Sequence, residues 1–312
     1  YDRFENALMH YDYLLKNDPD NIEYLYNTGV AEMALGHLQE ATQHFLRVLA
    51  QNDAHFASLT NMAAIYNRQE DYTSAIDFLK RALTVKPHDE AARFMLNALT
   101  PDAKNPAPSS DYVTNLFNNY ALYYDKHMQE TLNYTLPQHI AKVLHKRNSL
   151  HFNKTLDLGC GTGLSGVVLR ELSHHLTGID IAPKMLARAR EKDIYDELVE
   201  GDLLNYLTAY RGERFDLAVA ADVIPYLGDL TLLFKTLRQA LTTVQGLFIF
   251  TCEIATQDNW QLQSNARFCH HPDYIQYLCQ NEGYTMVHQE KITARTQHQK
   301  AVSVMLYVLQ AH

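Results

Sequence analysis

Residues 155–163 read Thr155-Leu156-Asp157-Leu158-Gly159-Cys160-Gly161-Thr162-Gly163, an apolar strand that runs straight into glycines at three alternate positions. A residue without a Cβ lets the backbone pass close to a ligand and adopt positive φ. The helix expected next, over 163–172, offers its free N–H groups to the polar end of that ligand. Asp157 lies inside the strand, where a carboxylate is costly to bury unless it is hydrogen-bonded. It is expected either to brace the loop or to meet a cationic ligand group. Two nucleotide readings compete. Residues 161–166, GTGLSG, fit the dinucleotide pattern G-x-G-x-x-G, with Asp180 about 20 residues on. The earlier frame, D-L-G-C-G-T-G over 157–163, points to a different nucleotide ligand.

Working outward, strands and helices alternate from Asp111 onward, the pattern of a doubly wound parallel sheet. A leading helical segment is expected over 111–147. Strands follow near 154–159, 175–180, 197–201, 215–220 and 246–252, with helices between them near 163–172, 183–192, 203–209 and 229–241. A helix near 271–282 precedes two more β segments, near 284–292 and 301–309. The second strand ends in LTGIDIAPKML, so Asp180 stands where a carboxylate accepts hydrogen bonds from both hydroxyls of a ribose. The competing reading of Asp180 is an acid placed at a helix N-terminus by the dipole. Ile181 and Met185 either wall an adenine or belong to the core. The third strand runs into LVEGDLL, in which Asp202 is a helix N-cap, a ligand residue, or both. The fourth runs into FDLAVAADVIPYLGDL.

These four stretches, in this order, resemble the motifs of class I S-adenosylmethionine (SAM) methyltransferases over roughly residues 111–312. The resemblance implies a Rossmann-like seven-stranded domain whose last strand is antiparallel, with SAM as cofactor and S-adenosylhomocysteine as product. It assigns Asp157, Gly159, Cys160, Gly161 and Gly163 to the glycine loop around the methionine part, and Asp180 to the ribose. Ile181, Met185, Asp202 and Leu203 fall to the adenine, with Asp202 meeting its amino group. Ala220 and Ala221 leave room for the methionine part, and Asp222 stands near the transferred methyl. Pro225 and Tyr226 come too late for the NPPY signature of enzymes that methylate amino groups of nucleic acids, so base N-methylation loses support. Residues 117–125, FNNYALYYD, look like the helical lid before the first motif, in which Tyr120 and Tyr124, four apart on one face, either touch the cofactor or pack among aromatics. Beyond the fifth strand, Arg267 is a candidate clamp for an anionic substrate and His270 a candidate to orient or deprotonate it. The bland reading of this cluster, with His271, is polar residues that cap the next helix.

The first hundred residues repeat with a period of 34: Gly29 aligns with Ala63, Ala41 with Ala75, Phe45 with Leu79, Val48 with Ala82 and Leu49 with Leu83. Ala7, Tyr11, Leu14 and Leu15 continue the series backward, and Pro19, Asp53 and Pro87 stand between units. The pattern resembles the tetratricopeptide repeat (TPR). It implies an all-α domain over 1–100, with full repeats at 21–54 and 55–87, the second helix of another at 1–19 and a capping helix at 90–99. Such arrays present a groove to a protein or peptide, so recruitment of a partner or substrate is expected; packing on a neighbour or dimerisation is the plainer alternative. Residues 101–110 are Pro-rich and polar, as a linker is. The whole chain then resembles predicted bacterial methyltransferases that carry these repeats.

A net charge of −9 and a pI near 5.9 over 312 residues disfavour a broad charge-driven nucleic-acid footprint. The four cysteines lack disulfide or metal spacing, which suits reduced thiols in the cytoplasm. No apolar run reaches the roughly 20 residues of a membrane span, and no histidine cluster has a metal-ligand frame. The chain opens on Tyr1, so further residues are expected before it. The leading expectation is methyl transfer to a protein or small acid. A repeat scaffold with a SAM-sensing or inactive domain, and a nicotinamide-dependent oxidoreductase, stand as alternatives.

Overall fold

The computed structural model describes residues 2–100, 108–146, 151–243, 245–297 and 300–312, so positions 101–107 of the expected linker lie outside the described residues. Two compact units are present: residues 1–104 with 263–266, and residues 105–262 with 267–312.

The first unit consists of helices α1 (Asp2–Asn17), α2 (Ile22–Leu35), α3 (Leu38–Gln51), α4 (Phe56–Arg68), α5 (Tyr72–Val85) and α6 (Glu90–Leu99). Short polar residues start α2, α5 and α6: Asn21, Asp71 and Asp89 each accept a backbone N–H three residues on. Small residues let the helices cross closely. A Cβ on Gly29 of α2 would sit 2.7 Å from the Phe45 ring of α3. Phe45, Leu59, Met62, Ile65 and Ala75 are fully buried in one continuous core that reaches Leu99 in α6. The 34-residue spacing thus falls on the buried faces of consecutive helices.

The second unit is α/β. It opens with α7 (Ser110–Tyr120), α8 (Tyr124–Lys126) and α9 (Leu136–Lys146). Strands β1 (Phe152–Leu158), β2 (Ser173–Asp180), β3 (Glu197–Glu200), β4 (Leu217–Ala220) and β5 (Leu247–Ile254) then alternate with α10 (Leu164–Arg170), α11 (Pro183–Glu191), α12 (Leu203–Ala209) and α13 (Thr231–Ala240). The chain closes with β6 (Trp260–Leu262), β7 (Phe268–His270), α14 (Pro272–Glu282), β8 (Tyr284–Gln297) and β9 (Lys300–Ala311). Seven strands lie in the order β3-β2-β1-β4-β5-β9-β8. The first five are parallel, because a helix returns the chain between each pair, and β9 is antiparallel to both β5 and β8. Helices cover both faces, so central strands read as unbroken apolar runs; all four residues of β4 are fully buried. One core lies against α12, α13 and α14, the other against α9 and α10.

The expectation of seven strands needs a correction: among the described residues the sheet has nine. β7 pairs in parallel with the end of β5, at Glu253 and Ile254, and β6 pairs with β7. Three-residue strands are too short to show a period of two, so the pattern of residues 255–270 carried no strand signal.

Candidate functional site

A cavity of about 120 Å³ lies at the carboxyl ends of β1 to β4, the place where parallel α/β sheets bind ligands. Its wall crosses the sheet in strand order. Gly201, Asp202 and Leu203 come from the end of β3, Asp180 and Ile181 from the end of β2 and the turn after it, Met185 from α11, Gly159 and Gly161 from the loop after β1, and Ala221, Asp222, Val223 and Tyr226 from the exit of β4. Pro108, Val113, Phe117 and Tyr124 close it from the leading helical segment. Gly159, Gly161 and Gly163 have φ of +62°, +55° and +89°, which side chains rarely adopt, and a Cβ on Gly159 would meet Val223 Cγ2 at 2.4 Å. The loop therefore lies flat against its neighbours only because it carries no side chains there.

The acids on this side are held by main chain. Asp180 Oδ2 accepts the Gly161 N–H and Oδ1 the Ala182 N–H, both at 2.8 Å. Burial pushes its carboxyl up to about 6, against the pull of those N–H groups. Asp202 Oδ1 accepts the Asn205 N–H at 2.9 Å and so caps α12 while facing the cavity, both roles at once. Asp157 and Cys160 are placed behind the loop and do not line the cavity. The Tyr195 hydroxyl donates to Asp157 Oδ2 at 2.7 Å. Burial raises the Asp157 carboxyl to about 7, Tyr195 lowering it and Asp180 adding to the rise. Burial also holds the Cys160 thiol protonated. Sequence gave no hint of Tyr195, which packs under Gly166 and Gly178 as well.

The leading segment is tied down by side chains. Tyr124 reaches the cavity, whereas Tyr120 does not: its hydroxyl meets His127 Nδ1, and its ring packs edge-on against Tyr124 at 4.8 Å. Asn118 Oδ1 accepts the Lys184 N–H at 3.0 Å and so caps α11 from outside. Asp125 receives Thr162 Oγ1 of the glycine loop and Lys192 Nζ, the latter at 2.6 Å. Lys192 also donates to the Thr162 carbonyl at 2.5 Å.

At the β4 end the acid is held by full charges. Asp222, at φ +56°, accepts Arg267 Nη2 at 2.5 Å and Arg295 Nη1 at 3.3 Å. Glu253 Oε1 accepts Arg267 Nε at 2.8 Å and lies 3.6 Å from Arg295 Nη2. All four side chains are largely buried, and Arg267 Nη1 also donates to the Tyr226 hydroxyl at 2.9 Å. Burial pushes the Asp222 carboxyl up, but the two guanidinium groups outweigh it and hold the group below the usual carboxylate range. The structure thus does not present Arg267 as a clamp open to an anion; the chain's own carboxylates engage it. His270 is not at the cavity. It is buried in β7, its Nε2–H donates to the Gly228 carbonyl at 2.8 Å, and burial lowers it to about 4. His271 caps α14. Glu253 and Arg295 were missed by sequence reasoning; they stand near the carboxyl ends of β5 and β8, and Arg295 lies beyond the β segment expected over 284–292. Among the described residues no group of three or more His, Cys, Asp or Glu side chains is placed to hold a metal ion. Nor is any helix among them long and apolar enough to cross a membrane.

Residues 156–250 match the profile of the methyltransferase-domain family, so the second unit carries a methyltransferase domain. The chain is 38% identical over 72 residues to the 18S rRNA (guanine-N(7))-methyltransferase of Mus musculus, covering 23% of this chain and 25% of that protein. It is 27% identical over 133 residues to the ubiquinone biosynthesis O-methyltransferase of Histophilus somni, covering 40% and 56% respectively. It therefore spans between a quarter and about half the length of these relatives. Among solved structures, the N-methyltransferase NodS from Bradyrhizobium japonicum, in complex with S-adenosylhomocysteine, superposes with a TM-score of 0.50 at 18% identity, over 64% of this chain and 98% of that one. That likeness establishes the class I, Rossmann-like methyltransferase fold.

Proposed function

We propose that the chain is a SAM-dependent methyltransferase. The observation that carries this reading is the cavity wall itself: Asp202, Asp180, the glycine loop and Asp222 follow one another across the ends of the adjacent parallel strands β3, β2, β1 and β4. These residues suit the cofactor. Asp180 keeps a lone pair on each oxygen for ribose hydroxyls, and Asp202 accepts an amino hydrogen beside the apolar surface of Ile181, Met185 and Leu203. The cavity is smaller than the roughly 300–1,000 Å³ of ligand clefts. Phe117 and Tyr124 are the side chains whose displacement would widen it. When bound, SAM supplies an activated methyl group; the protein's task is to hold a nucleophile in line with it and exclude water.

For the first unit we propose the tetratricopeptide-type array that its spacing suggests, with recruitment of a protein or peptide partner as its role. Its support is the coincidence of the 34-residue period with the buried helix faces. Calorimetry with SAM and S-adenosylhomocysteine tests the enzyme reading. Binding of both is expected, with about 10-fold or greater loss in Asp180→Ala, the effect of a lost hydrogen-bonding carboxylate. No binding by the folded protein rejects it.

A further inference from the structure

We propose that the methyl acceptor is a neutral, weakly basic nitrogen that bears a hydrogen, that of an aryl amine, and that Asp222, positioned by Arg267 and Arg295, receives that hydrogen. The inference rests on the methyl-transfer reading above and names its acceptor class.

The first argument is placement. Asp202 and Asp222 stand at opposite ends of the cavity, separated by three strand spacings of about 4.8 Å each in the order β3-β2-β1-β4. A nucleoside seated at the β2 and β3 ends leaves the β4 end, with Asp222, Tyr226 and Phe117, to whatever it reacts with. The second argument is charge. Asp222, Glu253, Arg267 and Arg295 balance two negative and two positive charges, and each guanidinium already spans both carboxylates. A carboxylate acceptor would meet an ionised Asp222 with the two nearest cations committed, and its burial there would be uncompensated. The expectation of a small acid as substrate gains no support from this geometry.

The third argument concerns hydrogen. An ionised carboxylate only accepts, so its partner must donate an N–H or O–H. Tyr226, having accepted from Arg267, keeps its own proton to donate. An alcohol or phenol must lose its proton during transfer, and a carboxyl held below its usual range by two guanidinium groups is a weak base for that task. An aliphatic amine would be held as its ammonium by the same carboxylate, with no lone pair to react. A weakly basic nitrogen avoids both faults. Its lone pair forms the N–CH₃ bond, and the methyl–sulfur bond breaks with its electrons passing to sulfur. The positive charge that develops on nitrogen is stabilised by the ionised Asp222. The N–H proton then leaves through Asp222 to water.

Incubation of the full chain with SAM labelled with ¹³C at the methyl and a bacterial cell extract, followed by proton–carbon NMR of the products, tests the proposal. Label in a base-stable N–CH₃ group on the amino nitrogen of an aryl amine is expected. Asp222→Asn should lower that signal about 100-fold and Tyr226→Phe about 10-fold, while SAM affinity stays within about threefold. An O-methyl, methyl-ester or aliphatic N-methyl product overturns the assignment, as does absence of any labelled product while calorimetry shows SAM bound. Failure to bind SAM instead rejects the methyltransferase reading beneath it. A second readout needs no cofactor: a pH titration followed by NMR of protein carrying ¹³C-carboxyl aspartate. Asp222 should titrate below the usual range, rise in Arg295→Ala and return in Arg295→Lys. An unchanged titration in Arg295→Ala overturns the positioning role.

Discussion

The two ends of the cavity solve the same problem, a buried carboxylate, in opposite ways. At the β2 end Asp180 is held by the N–H groups of Gly161 and Ala182. At the β4 end Asp222 is held by the guanidinium groups of Arg267 and Arg295. Both are buried, yet Asp180 rises to about 6 while Asp222 falls below the ordinary range. Peptide dipoles offset only part of the desolvation of a charge, whereas two full positive charges more than offset it. The first end keeps lone pairs and adaptability for a ligand's hydroxyls. The second is a rigid, charge-balanced frame whose parts depend on one another.

That interdependence gives the largest expected effect. Arg267→Ala strips Asp222, Glu253 and Tyr226 of a partner together and should cost about 3–5 kcal/mol of stability, the usual consequence of breaking a buried ion pair. Arg267→Lys should recover part of it. Asp180→Asn, at the other end, keeps an acceptor for at least one backbone N–H and should cost about 1 kcal/mol. Urea unfolding of the three variants decides the matter; equal losses at the two ends would erase the distinction.

The same contrast explains what was legible in the sequence. The partners of Asp180 lie 19 and 2 residues away, and that of Asp202 lies 3 away, so motif and cap spacing carried their placement. The helical periodicity of the first hundred residues was equally local. The partners of Asp222 lie 45 and 73 residues on, brought in by the β7 addition and by β8. Nothing in local pattern distinguishes Arg267 bound to Asp222 from Arg267 open to substrate. Likewise His270 and His271 are adjacent, yet the first is the buried last residue of β7 and the second lies beyond the strand as the N-cap of α14. The link from Asp125 to Thr162 and Lys192 was unread for the same reason.

The glycine loop supplies the next test, because it joins the two ends physically: Gly159, just past β1, abuts Val223 beside Asp222. Gly159→Ala should cost about 3 kcal/mol, combining positive φ with a contact no real Cβ tolerates. Val223→Ala should cost about 1 kcal/mol alone. The double variant should be more stable than the sum predicts by about 1 kcal/mol, since the contact is gone and only the φ penalty remains. Strict additivity in thermal or urea unfolding would show that the loop does not press on the β4 exit.

Behind the loop, Asp157 makes the dipole-and-burial case sharper through pH. Its folded value of about 7 exceeds the ordinary 3.8, so the folded state binds more protons between those values, and stability from this group falls as pH rises through that window. His270 works the other way. Lowered from 6.5 to about 4, it leaves the unfolded state with more protons, and its contribution rises with pH over its own window. Asp157→Asn keeps the Tyr195 hydrogen bond and removes the first slope. It should gain about 2 kcal/mol over wild type at pH 7.5 and nothing near pH 4. His270→Gln should instead remove the rise between about 4 and 6.5. Unfolding at pH 4.5, 6 and 7.5 checks both, and parallel profiles for wild type and Asp157→Asn would sink the reading.

The smallest effect separates structure from ligand at Asp202, which both caps α12 and lines the cavity. Asp202→Ala should lose about 1 kcal/mol of stability through the uncapped α12, and Asp202→Ser, which still caps, only a few tenths. For SAM the two variants should be alike, each weakening binding about 10-fold, because neither carries the carboxylate that the adenine amino group would meet. Calorimetry set beside urea unfolding reads the two roles on separate axes. If Asp202→Ser restored affinity along with the cap, the β3 end would contribute only main-chain order to the ligand. The difference between the two ends would then be one of rigidity rather than of recognition.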